Sequence, residues 1–242
     1  GAEDLRLLTL NYLNKKDDYD IKVCCIERVG ATGEAIKRMG VDIFCLSKSS
    51  LPYNIFATLS LFFYLLRNRF DIVQTSLFNA NFHGRIAALL ARVPIILSEE
   101  HSEHYQYNSL KFLPYIWADK ILSIFTDRII CCSRNLMNSI SKLEKIPPIK
   151  LFPLINTFNM NKLKITRAAS EIKKEIGLSE SDLVIGNIAS LTYRKGQDIL
   201  LKAFKIINEG LPSTKLIFIG GEVKEFKQKL LDLARSSGLS DK

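Results

Sequence analysis

The fold of this 242-residue chain is decided by residues 71–101, DIVQTSLFNANFHGRIAALLARVPIILSEEH. Ile72–Ser76 and Pro94–Ser98 are the candidate strands of this stretch. The apolar run of the second is typical of strands covered on both faces of a parallel sheet. Between them, Ala80–Ala91 places apolar side chains at the 3.6-residue period of a helix. This order of strand, helix and strand predicts two parallel strands joined by a right-handed crossover.

The same alternation continues along the whole chain. The other predicted strands are Ile21–Ile26, Val41–Leu46, Arg128–Cys132, Ile149–Leu154, Leu183–Ala189 and Lys215–Gly220. Further predicted helices are Ser170–Ile176, Gln197–Asn208 and Lys224–Ser236. The pattern predicts the α/β fold class, with two Rossmann-like doubly wound domains.

The polar, Asn-containing segment Leu154–Ala169 interrupts this rhythm and predicts a linker between two domains, residues 1–158 and 159–242. The chain opens with Gly1-Ala2-Glu3 and runs directly into a helical pattern, whereas a doubly wound domain begins with a central strand. We therefore expect the first domain to lack its first strand and the second domain to be truncated.

Composition excludes several classes of protein. The net charge of +9 is spread along the chain and suits an anionic small ligand or an anionic membrane surface, although a merely solvated surface explains it equally well. The sequence shows neither a strand platform of aromatic and basic residues nor a recognition helix. It therefore does not predict nucleic-acid binding. The five cysteines lie in apolar runs without a CxxC pair, which indicates reduced thiols and a cytoplasmic protein. Residues 55–66 form an apolar stretch that is too short to span a membrane. The stretch predicts a helix packed on a sheet, and the alternative is a helix lying in the membrane interface.

In their order and spacing, several motifs resemble those of the retaining glycosyltransferases of family 4, which have the GT-B fold. The segments that carry the resemblance are Gly1-Ala2-Glu3, Asp71–Ser76, Gly84–Ala88, Val93-Pro94, Ser98–His101, Ile188–Leu191, Lys195-Gly196 and Lys215–Gly220. The resemblance implies transfer of a hexose from a nucleotide sugar, UDP- or GDP-linked, to a glycan or lipid-linked acceptor. It also implies retained anomeric configuration, no cofactor and no metal ion, with the donor in the second domain and the acceptor in the first.

Site residues follow from the same resemblance. Lys195 is expected to contact the donor diphosphate, because a metal-free site stabilises the leaving group with cations and helix N-termini. Arg194 and Gly220 are further donor-binding candidates. Ser190 is another, at a position where the family carries arginine, so Arg194 is expected to compensate.

In the first domain, His101 is the catalytic candidate and Gly1 the acceptor-binding candidate. His101 follows a strand end, where α/β sheets place their ligand crevice, and Glu99 or Glu100 is expected to orient its ring. The alternative for His101 is a structural histidine. Nearby His104 gives no zinc-ligand spacing. Asn79 and Asn81 are expected to cap the following helix rather than bind acceptor.

The chain departs from the family pattern in ways that keep alternatives open. Gln74 and Ser76 occupy positions where the family has histidines. The family's Glu-x7-Glu pair falls after residue 242, so this span is expected to be inactive alone. The alternatives are a nucleotide-sugar epimerase of the same fold and a non-catalytic remnant. The transferase hypothesis places the protein in the cytoplasm, peripherally on the inner face of the membrane.

Overall fold

A computed structural model of the chain describes residues 2–26, 28–46, 55–102, 113–157, 160, 163–221, 223–240 and 242. The chain divides into two compact units, Gly1–Lys162 and Leu163–Lys242. The division falls inside the segment Leu154–Ala169 that the sequence predicts to be a linker.

The first unit alternates helices and strands from its start. Its elements are α1 (Ala2–Leu13), β1 (Lys22–Cys25), α2 (Ala31–Arg38), β2 (Asp42–Cys45), α3 (Ile55–Asn68), β3 (Ile72–Ser76), α4 (Phe78–Leu90), β4 (Ile95–Glu100), α5 (Leu113–Ile124), β5 (Arg128–Cys131), α6 (Arg134–Glu144) and β6 (Leu151–Pro153). The described strands pair in parallel as β1-β2 and as β3-β4-β5-β6. The prediction of an α/β fold with parallel sheets is therefore confirmed.

One face of the four-stranded sheet carries the main apolar core. Ile96 of β4 packs with buried residues of α3 and α4, while Ile129 of β5 and Leu151 of β6 pack with buried residues of α6. On the opposite face, Ile72 and Ile95 are exposed at the amino ends of their strands. Polar side chains occupy the carboxyl ends of this second face, which is where the candidate site lies.

The smaller sheet has helices on both of its faces. Val23 and Ile43 pack with α1 and α2, around buried Leu10 and Ile36. Cys24, on the other face of β1, packs against the α3–α4 core. Helices on opposite faces of one sheet define the doubly wound arrangement, so this part of the prediction is confirmed for the first unit.

The second unit is built on one parallel strand pair. Its elements are α7 (Ala169–Glu175), β7 (Leu183–Ile188), α8 (Gln197–Gly210), β8 (Thr214–Ile219) and α9 (Lys224–Ser236). Ile185, Leu216 and Phe218 share one face of the pair and pack against fully buried Phe204 of α8 and against α9. A short 3₁₀ turn, Tyr193–Lys195, immediately precedes α8.

All eight predicted strands are present, and the differences lie at their ends. Strand β4 runs two residues further than predicted and includes Glu99 and Glu100. Helix α4 begins at Phe78 rather than Ala80, so the prediction that Asn79 and Asn81 cap it is wrong. Asn81 lies inside the helix, where its side-chain amide donates to the Glu99 carbonyl (3.1 Å) and to Glu100 Oε1 (2.6 Å). The amide thereby fastens α4 to the carboxyl end of β4.

Candidate functional site

In the first unit, polar side chains gather at the carboxyl ends of β3 and β4. The strand register sets Ser76 opposite Glu99. Gln74 precedes Ser76 by two residues and lies on the same face, and His101 follows the end of β4. Parallel strands end at a common edge, which is where open α/β sheets bind their ligands. The sequence prediction that His101 follows a strand end is confirmed.

The carboxylate of Glu99 is the centre of this cluster. Its side chain is only 7% exposed and forms an ion pair with Arg6 of α1, ninety-three positions earlier in the chain. Gln74 Nε2 donates to the same oxygen, Oε2, at 3.3 Å. Burial alone would raise the pKa of Glu99, but hydrogen bonding to His101 and the charge of Arg6 outweigh it and hold that pKa below its ordinary value. Glu99 is therefore a buried anion at neutral pH.

The ring of His101 lies against this anion. Its Nε2 atom is 3.2 Å from Ser76 Oγ and 3.6 Å from Glu99 Oε2. Within the described residues, its other nitrogen, Nδ1, is buried and has no hydrogen-bond partner. The backbone is also fixed here, because the Cys132 thiol donates to the His101 carbonyl at 3.4 Å. Of the two candidate carboxylates, Glu99 is the one that contacts the ring.

The five cysteines, all within the described residues, form no disulfide, as the sequence predicts. Burial raises the pKa values of Cys24 and Cys131 to about 12. Burial also raises the pKa values of Cys25 and Cys132. Because the thiolate is the reactive form, these four thiols are poor nucleophiles at neutral pH.

In the second unit, the loop after β7 presents two cations. Arg194 and Lys195 are exposed in the 3₁₀ turn, and no hydrogen bond or ion pair involves either side chain in the part of the chain that the structure describes. Gly196 follows with a φ of 67° and is the N-cap of α8. This left-handed conformation favours glycine and lets the chain pass from the turn directly into the helix. The prediction that Lys195-Gly196 opens a helix is confirmed.

The buried side-chain amide of Gln197 stabilises the loop after β7. Gln197, the first residue of α8, is completely buried, and its Nε2 donates to the Ser190 carbonyl at 2.9 Å. The loop after β8 is tied to it by backbone hydrogen bonds, from the Leu191 amide to the Gly221 carbonyl (2.7 Å) and from the Val223 amide to the Leu191 carbonyl (3.4 Å). The two loops therefore form one connected rim at the carboxyl edge of the strand pair.

Gly220 lies where the two loops meet. A β-carbon at this position would collide with the carbonyl oxygen of Ala189. At Gly221, by contrast, a β-carbon would have no heavy atom within 4 Å. Gly220 is thus required by the close approach of two backbones, whatever ligand the rim binds.

The structure brings four predicted donor-binding residues together at this rim: Ser190, Arg194, Lys195 and Gly220. His101 belongs to the cluster of the first unit. Gly1, the predicted acceptor-binding residue, lies outside the described residues.

Sequence reasoning missed Arg6 and Gln197 and misjudged Gln74 and Ser76. The sequence identifies the last two only as replacements of the family's histidines, but Gln74 contacts Glu99 and Ser76 contacts His101. Gln197 carries a detectable signal, because a polar residue directly after a glycine turn can hydrogen-bond that turn. Arg6 carries no signal, because its partner is distant in sequence.

Two family models match the chain. The model of glycosyltransferase family 4 matches residues 8–154, and that of glycosyl transferases group 1 matches residues 169–242. Among curated proteins, the chain is 24% identical over 212 residues to the UDP-Gal:alpha-D-GlcNAc-diphosphoundecaprenol alpha-1,3-galactosyltransferase of Escherichia coli. This match covers 84% of the chain and 54% of the relative, so the chain spans about half the relative's length.

Solved structures share the fold. Anabaena HepE in complex with UDP-glucose superposes with a TM-score of 0.80 at 16% identity, covering 99% of this chain and 63% of HepE. The UDP-GlcNAc 2-epimerase of Methanocaldococcus jannaschii gives a TM-score of 0.58 at 13% identity, covering 100% of this chain and 67% of the epimerase. The chain therefore shares its fold with HepE and with the epimerase.

Replacing Glu99 tests the buried anion. Because the pKa of Glu99 is lowered in the folded chain, the ionised carboxylate stabilises the fold above the ordinary pKa of glutamate, and this contribution is lost as the pH falls through the lower, folded value. We expect Glu99→Gln to reduce the free energy of unfolding at pH 7 by about 2 kcal/mol and to lose this difference in acid. Urea unfolding followed by the fluorescence of Trp117, the single tryptophan, measures it. The control is Glu34→Gln, which removes an exposed carboxylate and should have little effect. A Glu99→Gln deficit that is constant with pH would contradict the assignment.

Alanine substitutions at the adjacent glycines test the rim. Gly220→Ala forces the ends of β7 and β8 apart, so we expect it to lower the free energy of unfolding of the second unit by about 1 to 3 kcal/mol. Gly221→Ala is the matched control and should change that free energy by less than about 0.5 kcal/mol. Hydrogen exchange at the amides of β7 and β8 reports on this unit specifically. Equal effects of the two substitutions would show that the close approach at Gly220 does not matter.

Proposed function

Given that the chain belongs to glycosyltransferase family 4, we propose that it transfers a hexose from a nucleotide sugar to a lipid-linked glycan acceptor, with retention of configuration. The observation that carries the proposal is the exposed pair of cations, Arg194 and Lys195, at the turn into α8. Two neighbouring cations without a protein partner in the described residues are suited to an anionic ligand.

The chemistry at this turn fits a diphosphate leaving group. When the glycosidic bond to a nucleoside diphosphate breaks, negative charge develops on the phosphate oxygens and must be stabilised. The Lys195 ammonium supplies one positive charge and the Arg194 guanidinium a second. The first amides of α8, at Gln197 and Asp198, belong to the helix turn whose N–H groups have no intrahelical acceptor, and they favour an anion there.

The remaining rim residues shape this site. Ser190 offers a hydroxyl and a backbone carbonyl held by Gln197, in place of a third cation. Gly220 keeps the rim compact, so that the backbone itself can approach a bound nucleotide sugar. In this proposal the donor is a UDP-linked sugar, as supported by the likeness to HepE in complex with UDP-glucose.

His101 is the catalytic residue proposed in the first unit. Glu99 Oε2 faces one ring nitrogen, so it favours the tautomer that carries its proton on Nε2. Arg6 and Gln74 hold the Glu99 carboxylate and are positioning residues for His101. Nε2 is already engaged by Ser76 and Glu99, so Nδ1, which has no hydrogen-bond partner in the described residues, is the ring nitrogen left for a hydroxyl of the acceptor.

The acceptor and the location are inferred from chemistry. The Escherichia coli relative is named for an acceptor linked to diphosphoundecaprenol, and the net charge of +9 suits an anionic membrane surface. We therefore propose a cytoplasmic protein that acts peripherally at the inner face of the membrane.

A nucleotide-sugar 2-epimerase is the second candidate, because that fold also superposes on the chain. Product analysis without acceptor separates the two, since only the epimerase converts the sugar nucleotide alone.

Calorimetric titration with UDP tests the donor site. We expect the wild-type chain to bind UDP. Lys195→Ala should weaken the affinity at least about tenfold, because the loss of one charge-assisted hydrogen bond changes a binding constant by about that factor. Lys205→Ala is the control, because it removes the same charge from an exposed position further along α8. His101→Gln should leave UDP affinity unchanged. In a longer version of the protein that includes the family's Glu-x7-Glu pair, it should lower transfer from UDP-galactose to a diphosphoundecaprenol-linked acceptor. UDP binding that does not change in Lys195→Ala would refute the donor assignment.

A further inference from the structure

Helix α3 exposes a line of large apolar side chains along its outer side. Leu59, Phe63 and Leu66 recur at the spacing of successive helical turns and are 43%, 63% and 52% exposed. We call these three residues the α3 stripe. Phe56, one turn earlier, is 72% exposed. The other side of the helix is used for folding, because Ala57, Leu61 and Leu65 are buried in the unit.

A second helix of the same layer repeats this arrangement. On α5, Trp117, Ile121 and Ile124 follow one another at helical spacing and are more than half exposed. Helix α4 contacts both α3 and α5 and so lies between them. The layer thus presents two lines of exposed apolar side chains, and exposed apolar surface gathered on one layer of helices indicates an interaction site.

The helix that carries the α3 stripe contains no carboxylate. Residues 43–70 contain no aspartate or glutamate. Arg67 in the last turn of α3 and Arg69 directly after it are both exposed. Apolar side chains on a helix that ends in arginine and carries no carboxylate are complementary to a surface that is apolar inside and anionic at its boundary.

From this complementarity we infer that the α3 stripe docks on the surface of an anionic lipid bilayer. Its apolar side chains enter the boundary between headgroups and acyl chains, while Arg67 and Arg69 contact lipid phosphates. The choice of a bilayer rather than an acidic protein rests on the proposed function, in which the acceptor is lipid-linked.

The length of α3 fits a helix lying in the membrane surface. Its fourteen residues extend about 21 Å, less than the roughly 30 Å of a bilayer's hydrocarbon core. In the described ranges of the chain, none of the helices has the length and apolarity needed to cross a membrane. The α3 stripe therefore offers shallow insertion parallel to the surface. Exposed Trp117 on the neighbouring helix has the amphipathic ring that favours the same depth.

Vesicle flotation tests this inference with the 242-residue chain. We expect the wild type to bind phosphatidylcholine vesicles containing phosphatidylglycerol and to bind pure phosphatidylcholine vesicles more weakly. The double variant Phe63→Ser with Leu66→Ser should reduce partitioning onto anionic vesicles more than about tenfold. Arg67→Gln and Arg69→Gln should each reduce it about fivefold. The control is Ile206→Ser on α8, an apolar residue exposed to 72% in the second unit, which should bind vesicles like the wild type.

UDP titration of the same variants serves two purposes. It shows whether each variant is folded, and it tests the proposed donor site independently of the docking surface. The double variant should keep wild-type UDP affinity, and its vesicle deficit then belongs to the surface. If UDP does not bind but flotation still depends on the α3 stripe, the docking surface stands and the donor assignment fails. Partitioning that is equal in the wild type and the double variant would overturn the inference. A second outcome would also overturn it: the wild type does not bind vesicles and forms a dimer that the double variant does not form. A second copy of the chain would then cover the α3 stripe.

Discussion

Parallel strand pairing is the constraint on which the rest of the structure depends. In the described residues every paired strand runs in the same direction as its neighbour, so the carboxyl ends in each sheet meet at one edge. Side chains far apart in sequence become neighbours there without any local signal. Ser76 meets Glu99 and His101 at the first edge, and Ser190 meets Gly220 at the second.

The two edges differ in electrostatics. At the first, a buried carboxylate is neutralised by Arg6 and held by Gln74, so the cluster is internally paired and fixes the position of one histidine ring. At the second, Arg194 and Lys195 stay exposed in a turn stabilised by backbone hydrogen bonds and the buried Gln197 amide. A preorganised turn whose two cationic side chains form no ion pair within the described residues is suited to an anionic ligand. A satisfied ion pair is instead suited to orienting a polar group.

Much of this was predictable from the sequence because continuous apolar runs and glycine turns are local signals. All eight strands, the helix headed by Gly196 and the position of His101 after a strand follow from such patterns. The end of β4 did not, because Glu99 and Glu100 are charged and extended strands are recognised by apolarity. Their burial is possible only because Arg6 and Asn81 arrive from other elements. Arg6 lies ninety-three positions from Glu99, and no local pattern encodes that separation.

The central claim is that an anionic leaving group binds at the turn between β7 and α8. Its most direct test is the mapping of amide chemical shifts during titration of the labelled chain with UDP. We expect the largest changes on residues 190–198 and on Gly220 and Gly221, whose amides border the turn. Changes confined to the first unit, or to the far ends of α8 and α9, would contradict it.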